Sequence, residues 1–181
     1  FGGKVRVVDS ENASIGKHAL VEYALRLKCA GLGFEEIVER LEADKKRIRL
    51  IALLDTLEYL KKGGRISKAA AMAGSLLSIK PVIAIQRGEV AILGKARGSK
   101  QGNNLLAEQI RQTGGIDFGK PFVLGYTGLS DAMLRKYIKD HESFWKSSVD
   151  ALETSSVGGT IGTHIGPGAI GVAFFSAGDC I

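Results

Sequence analysis

The residues best equipped for chemistry stand near the end of the sequence, in Gly158-Gly159-Thr160-Ile161-Gly162-Thr163-His164-Ile165-Gly166-Pro167-Gly168-Ala169-Ile170-Gly171. Six glycines and a proline in fourteen residues cannot make a long regular helix. Glycines let the main chain come close to a ligand and leave peptide N–H groups uncovered, which suits an anion, while His164 adds a titratable donor and Thr160 and Thr163 add hydroxyls. A tight turn ahead of a buried strand accounts for the same residues equally well. Gly166 to Gly171 also fits G-x-G-x-x-G, but the dinucleotide fingerprint needs a strand before it and a helix after it, and the apolar run Ala169 to Phe175 reads as a strand.

Other chemical groups have simpler readings. Asp55 and Glu58 are spaced as a capping box at a helix start, which competes with a role as an acid–base pair. His18 and His141 read as surface histidines, and a partner-docking role for Arg65, after Gly63-Gly64, stays open. The sequence contains no G-x-S-x-G and no G-x-x-x-x-G-K-S/T, so no catalytic residue is assigned. Cys29 and Cys180, the two cysteines, form neither a disulfide framework nor a metal set, so no metal or cofactor is expected.

The elements that must position this stretch follow from periodicity. Lys4 to Asp9 reads as a strand, Ser14 to Ala30 as a helix with Ile15, Ala19, Leu20, Tyr23 and Leu27 on one face, Phe34 to Lys46 as a second helix, and Ile48 to Leu54 as a buried strand parallel to the first. Asp55 opens a short helix that Gly63-Gly64 ends, and Ser67 caps another over Lys68 to Leu77. Pro81 to Gln86 and Glu89 to Gly94 flank Arg87-Gly88 as a hairpin. Beyond it, Ser99 to Thr113 and Ser130 to Phe144 read as helices, and Phe122 to Thr127 and Lys146 to Glu153 as strands. The fold class is α/β: residues 1–78 as part of a parallel α/β layer, then 79–181 as a second α/β domain with a mixed, largely antiparallel sheet that ends in the glycine-rich histidine motif.

The 181 residues are 45% apolar and 24% charged, an ordinary globular composition long enough for a core. No apolar run approaches a membrane span and no signal-peptide pattern opens the sequence, which predicts a soluble, cytoplasmic protein. The absence of an initiator methionine suggests that something came before Phe1. The net charge of +6 is scattered rather than striped with aromatics, which speaks against nucleic acid as a partner.

Four motifs in order, Asp55-Thr56-Leu57-Glu58-Tyr59-Leu60-Lys61-Lys62-Gly63-Gly64-Arg65-Ile66, Ile79-Lys80-Pro81-Val82-Ile83, Gly94-Lys95-Ala96-Arg97-Gly98 and Ile161 to Gly171, resemble the bacterial DegV family. The resemblance implies a protein that binds a long-chain fatty acid in an apolar tunnel. It implies a carrier rather than an enzyme, which hands the carboxylate to a separate ATP-binding fatty acid kinase subunit. That subunit makes the acyl phosphate that feeds phospholipid synthesis, with transient contact at a membrane surface. His164 is implied to bond the carboxylate with Gly162 and Thr163 beside it, and Arg97 to stand near the carboxylate or the kinase contact. The chain resembles roughly the C-terminal two-thirds of a family member, and the threonine and serine that the family uses from its N-terminal half are read as absent. Burying about fourteen methylenes at about 0.8 kcal/mol each gives on the order of 11 kcal/mol gross, so the apolar part supplies the grip and the head group fixes orientation. The alternative is an enzyme acting on a small anionic metabolite at His164.

Overall fold

A computed structural model describes residues 5–66, 79–145 and 151–178. The elements in chain order are α1 (Ser14–Cys29), α2 (Phe34–Asp44), β1 (Ile48–Leu53), α3 (Glu58–Lys62), β2 (Ile79–Gln86), β3 (Glu89–Arg97), α4 (Gly98–Gln112), β4 (Phe122–Tyr126), α5 (Ala132–Asp140), β5 (Thr154–Ser156), α6 (Gly159–Ile165) and β6 (Ile170–Phe175). The six strands form one mixed sheet in the order β3-β2-β1-β6-β4-β5. β1, from the segment before residue 79, lies inside this sheet among strands that follow it.

Alternation along the strands divides the core into two layers. Leu50, Ala52, Ile83, Ala173 and Phe175 face α1 and α2, packing on Ile15, Ala19, Leu20, Tyr23 and Leu41. Ile51, Leu53, Val82, Leu124, Val172 and Phe174 face the other way, against Leu106, Ala107 and Ile110 of α4 and Leu134, Tyr137 and Ile138 of α5. All six residues of β6 are buried, as a strand covered by helices on both faces must be. The hairpin turns at Arg87 (φ 53°) and Gly88 (φ 79°), the two left-handed positions that a two-residue type I′ connection demands.

The sheet replaces the expected parallel layer. Residues 5–9 form no strand, and Val5 and Val7 are 61% and 91% exposed. β1 has both ladder edges filled, by β2 and by β6, each antiparallel, so no edge remains for a parallel partner. Among the described residues the parallel pair is β4 with β5. The strand expected over Lys146 to Glu153 begins instead at Thr154. Leu152 is buried in the α5 layer with its carbonyl taken by Arg135 Nη1 at 2.7 Å, so the ladder forms only beyond it. Residues 146–150 lie outside the described residues, as does the helix expected over Lys68 to Leu77 and Cys180.

Two local expectations also change. The Asp55–Glu58 capping box does not form, because Asp55 is paired to Lys80 on β2, and the Glu58 N–H donates to Thr56 Oγ1 at 3.2 Å. His141 is half-buried, with its ring 4.8 Å from that of Tyr137 and Nδ1 3.1 Å from the Tyr137 carbonyl, whereas His18 and Cys29 are exposed.

A polar clamp ties α1 and α2 to the loop before β4. The Tyr23 hydroxyl donates to Asp44 Oδ2 at 2.6 Å, and Lys120 Nζ donates to the same oxygen at 2.7 Å. Burial disfavours ionisation of Asp44, but the bonds from Lys120 and Tyr23 outweigh it and hold its carboxyl below the usual range. Tyr23 is pushed up, by burial first and then by its bond to Asp44.

Candidate functional site

The α1-facing side of the sheet encloses a cavity of about 330 Å³, within the range of small-molecule pockets. Its floor is aliphatic: Leu50 and Ala52 of β1, Ile83 and Ile85 of β2, and Val90 of β3. Its roof is the first turn of α1, Leu60 of α3 and one face of α6. Three small residues line it beneath the start of α1. Ala52, Gly171 and Gly125 lie opposite one another across β1, β6 and β4. A Cβ on Gly125 would stand 2.8 Å from Ile15 Cγ2, so glycine is what lets the start of α1 settle onto the sheet here.

Polar lining residues gather toward β4, α1 and α6: Ser14, Tyr126, Thr127, Thr160 and His164, with Arg65 following α3. Thr127 is satisfied within the protein, its hydroxyl donating to the Gly166 carbonyl at 2.6 Å and accepting from the Ala169 N–H at 2.9 Å. That bond pair pins the glycine-rich turn onto β4. Gly166 stops α6 with φ 76°, and a Cβ there would collide with the Tyr59 ring, so the turn requires glycine twice over.

His164 occupies the last turn of α6, half-buried and lining the cavity. Its ring sits against Gly63, where any Cβ would overlap Nδ1, so the double glycine after α3 serves as a seat for the imidazole. Nδ1 is buried and has no hydrogen-bond partner among the described residues. A buried, unpaired ring nitrogen costs free energy unless a ligand or water completes it.

The other nominated residues are placed differently. Thr163 is exposed and its hydroxyl donates to the Thr160 carbonyl at 2.9 Å, and Gly162, half-buried in α6, accepts the Gly166 N–H at 2.8 Å. Neither lines the cavity. Arg97 ends β3, exposed, with its N–H bonded to Gln101 Oε1 at 3.2 Å, and it too lies outside the cavity lining. The structure therefore brings His164 together with Ser14, Thr160 and Arg65 rather than with Arg97. Ser14 was hidden in the sequence because a hydroxyl at a helix start reads as an N-cap. Here no side-chain cap bond forms, and Ser14 adopts φ 50°, a left-handed conformation that marks backbone held by its surroundings. Among the described residues no cluster of His, Cys, Asp or Glu is arranged to hold a metal ion, and no helix is long and apolar enough to cross a membrane.

A mixed sheet covered by helices on both faces, with an apolar hollow ending at a polar mouth, places the chain among α/β proteins with an internal ligand cavity. The chain belongs to the DegV family: the family model described as an uncharacterised protein of that family matches residues 1–177. A DegV domain-containing protein of Caldanaerobacter subterraneus is 33% identical over 173 residues, covering 94% of this chain and 60% of the relative. The chain thus spans about three fifths of the length of the curated relatives it matches. Among solved structures, a fatty-acid-binding DegV protein of Thermus thermophilus is 29% identical with a TM-score of 0.76, covering 97% of this chain and 62% of that one. The fatty acid kinase B3 protein of Streptococcus pneumoniae, loaded with linoleic acid, is 25% identical with a TM-score of 0.80, covering 95% and 60%.

Proposed function

We propose that the chain binds a long-chain fatty acid, with the hydrocarbon tail over the aliphatic floor and the carboxylate beside His164 and Ser14. The observation that carries this reading is the cavity's polarity: aliphatic side chains from three strands at one end, and at the other the imidazole of His164 with the hydroxyl-bearing Ser14 and Thr160. From β4 to β3 the cavity crosses four strand spacings of about 4.8 Å, or about 19 Å. Half of a bilayer's core of about 30 Å, the depth that one acyl chain fills, is about 15 Å. A long acyl chain therefore fits the span.

The cavity's chemistry divides the work. Desolvating the tail supplies affinity in proportion to its length, while Ser14, Thr160 and His164 offer donors to a carboxylate and so set direction. With its acid end at the mouth, the ligand is presented to a second protein. The role we assign is that of a carrier, with a separate ATP-binding kinase subunit phosphorylating the carboxylate to an acyl phosphate. The named function of the Streptococcus pneumoniae relative supports this.

The test is native mass spectrometry of the purified protein, followed by titration of oleate into delipidated protein. A co-purified long-chain acid and saturable oleate binding are expected. Ligand-free protein that also ignores oleate would overturn the reading. Addition of a DegV-specific fatty acid kinase subunit with ATP should then yield acyl phosphate only when the lipid-loaded chain is present.

A further inference from the structure

Resting on the acyl-binding reading above, we propose that the hairpin of β2 and β3 sets the length of acyl chain that the protein prefers, with Ile85 and Val90 as the wall that the methyl end of the tail meets. Strand register shows how the cavity runs. Gly171 stands opposite Ala52, Ala52 opposite Ile83, and, two residues further along β2, Ile85 opposite Val90. All five line the cavity. It therefore crosses the sheet obliquely, from the end of β4 and the start of β6 to the hairpin turn, where Gly88 belongs to the lining. Ile92, two residues beyond Val90 and in the same core layer, lies outside it.

Distance decides which strand the tail reaches. Successive strands lie about 4.8 Å apart, so the three steps from β4 to β2 cover about 14 Å and the fourth, to β3, about 19 Å. One acyl chain fills half of a bilayer core of about 30 Å, or about 15 Å. An acid with its carboxylate at the polar end thus lays its last methylenes over β2 and β3, where Ile85 and Val90 face each other. A chain shorter by several methylenes ends over β1 and does not meet them.

Ile85 and Val90 suit a fixed stop. Both are branched at Cβ, which leaves χ1 few choices, and side chains directly opposed on one face of a sheet support each other. Both are half-buried and packed on the core layer beneath α1. The turn itself brings nothing bulky: Gly88, at φ 79°, is a position that favours glycine, and Arg87 is not part of the lining. The side chains that β2 and β3 bring to the hairpin end of the cavity are therefore those of Ile85 and Val90. Their volume can be changed without touching His164, Ser14 or the turn.

The test is displacement of a bound fluorescent fatty acid from delipidated protein, with laurate, myristate, palmitate and stearate as competitors. Each step in that series adds two methylenes, whose burial strengthens binding about 15-fold. In Val90→Phe the ring takes the space of about two methylenes at the far end, so stearate should bind about 15-fold more weakly than to wild type. Laurate, which stops short of the hairpin, should stay within about threefold. Val90→Leu, larger by one methylene and the milder change if the phenyl ring unsettles the hairpin, should show the same selectivity at about fourfold. Equal weakening of laurate and stearate in both Val90 variants, stearate binding unchanged in both, or the same selectivity in Ile92→Val would overturn the assignment and leave the fatty-acid reading standing. A wild-type protein that binds none of these acids would overturn that reading and this one with it.

Discussion

Replacing His164 by alanine separates the two jobs that the imidazole is given. In the folded protein the ring rests on Gly63 with Nδ1 buried and unpaired, so its loss removes an unsatisfied polar atom along with some packing. These effects oppose each other, and the variant should keep its fold with a stability change of no more than about 1 kcal/mol. Ligand affinity is another matter. A hydrogen bond to a carboxylate is worth about 1.5–3 kcal/mol, and each 1.4 kcal/mol is a factor of ten, so oleate should bind about 10- to 150-fold more weakly. The tail keeps its whole aliphatic floor, and with on the order of 11 kcal/mol of gross burial behind it, measurable binding should remain. Isothermal titration of delipidated wild type and His164→Ala with oleate, beside urea unfolding of both, reads out each quantity. Oleate affinity within threefold of wild type, with the fold intact, would refute the assignment of the carboxylate to this ring. Complete loss of oleate binding in a folded variant would show that the tail does not supply the grip.

Three other substitutions probe the frame around the site. Gly166→Ala, at φ 76° and against the Tyr59 ring, should lower the urea midpoint by more than about 1 kcal/mol equivalent; an unchanged midpoint would mean that α3 and α6 are not packed as described. Tyr137 is fully buried with its hydroxyl unpaired among the described residues, so Tyr137→Phe should raise stability by about 1 kcal/mol, and a loss of stability would reveal a partner for that hydroxyl. Asp44 has a carboxyl pKa below the ordinary 3.8, so its contribution is complete above that value and lost as pH falls through the lower, folded-state value. Acid titration of stability should therefore show a steep limb below about pH 4 that Asp44→Asn flattens; a limb unchanged in the variant would place the acid-sensitive group elsewhere.

What was legible in the sequence was local. Ile15, Ala19, Leu20 and Tyr23 mark the buried face of α1 through their spacing alone, and Arg87-Gly88 marks the hairpin because few residue pairs accept two left-handed positions. The α/β class and mixed sheet followed from such segments. Strand direction did not, because the neighbours of β1 are fixed by a contact between Leu53 and Ile170, far apart in the chain, which no local pattern encodes. The same limit hid Asp55's partner: its spacing to Glu58 imitates a cap, while Lys80 from the next strand claims the carboxylate.

The candidate site was half legible. A histidine among glycines is conspicuous, and the four motifs pointed to the right family, yet the residues around His164 come from five separate segments that meet only in the fold. Ser14 read as the first residue of a helix and the aliphatic floor as buried strand, whereas Thr160 stood beside His164 as a candidate hydroxyl from the start. A cavity is lined by the same aliphatic side chains that fill an interior, so residue type alone does not mark it in the sequence.

A crystal structure of the protein with oleate tests the central claim most directly. Continuous density should run over Leu50, Ile83 and Val90 and end with a carboxylate oxygen within hydrogen-bond distance of His164. Oleate bound in the reverse direction, or elsewhere on the protein while this hollow is filled by its own side chains, would contradict the account.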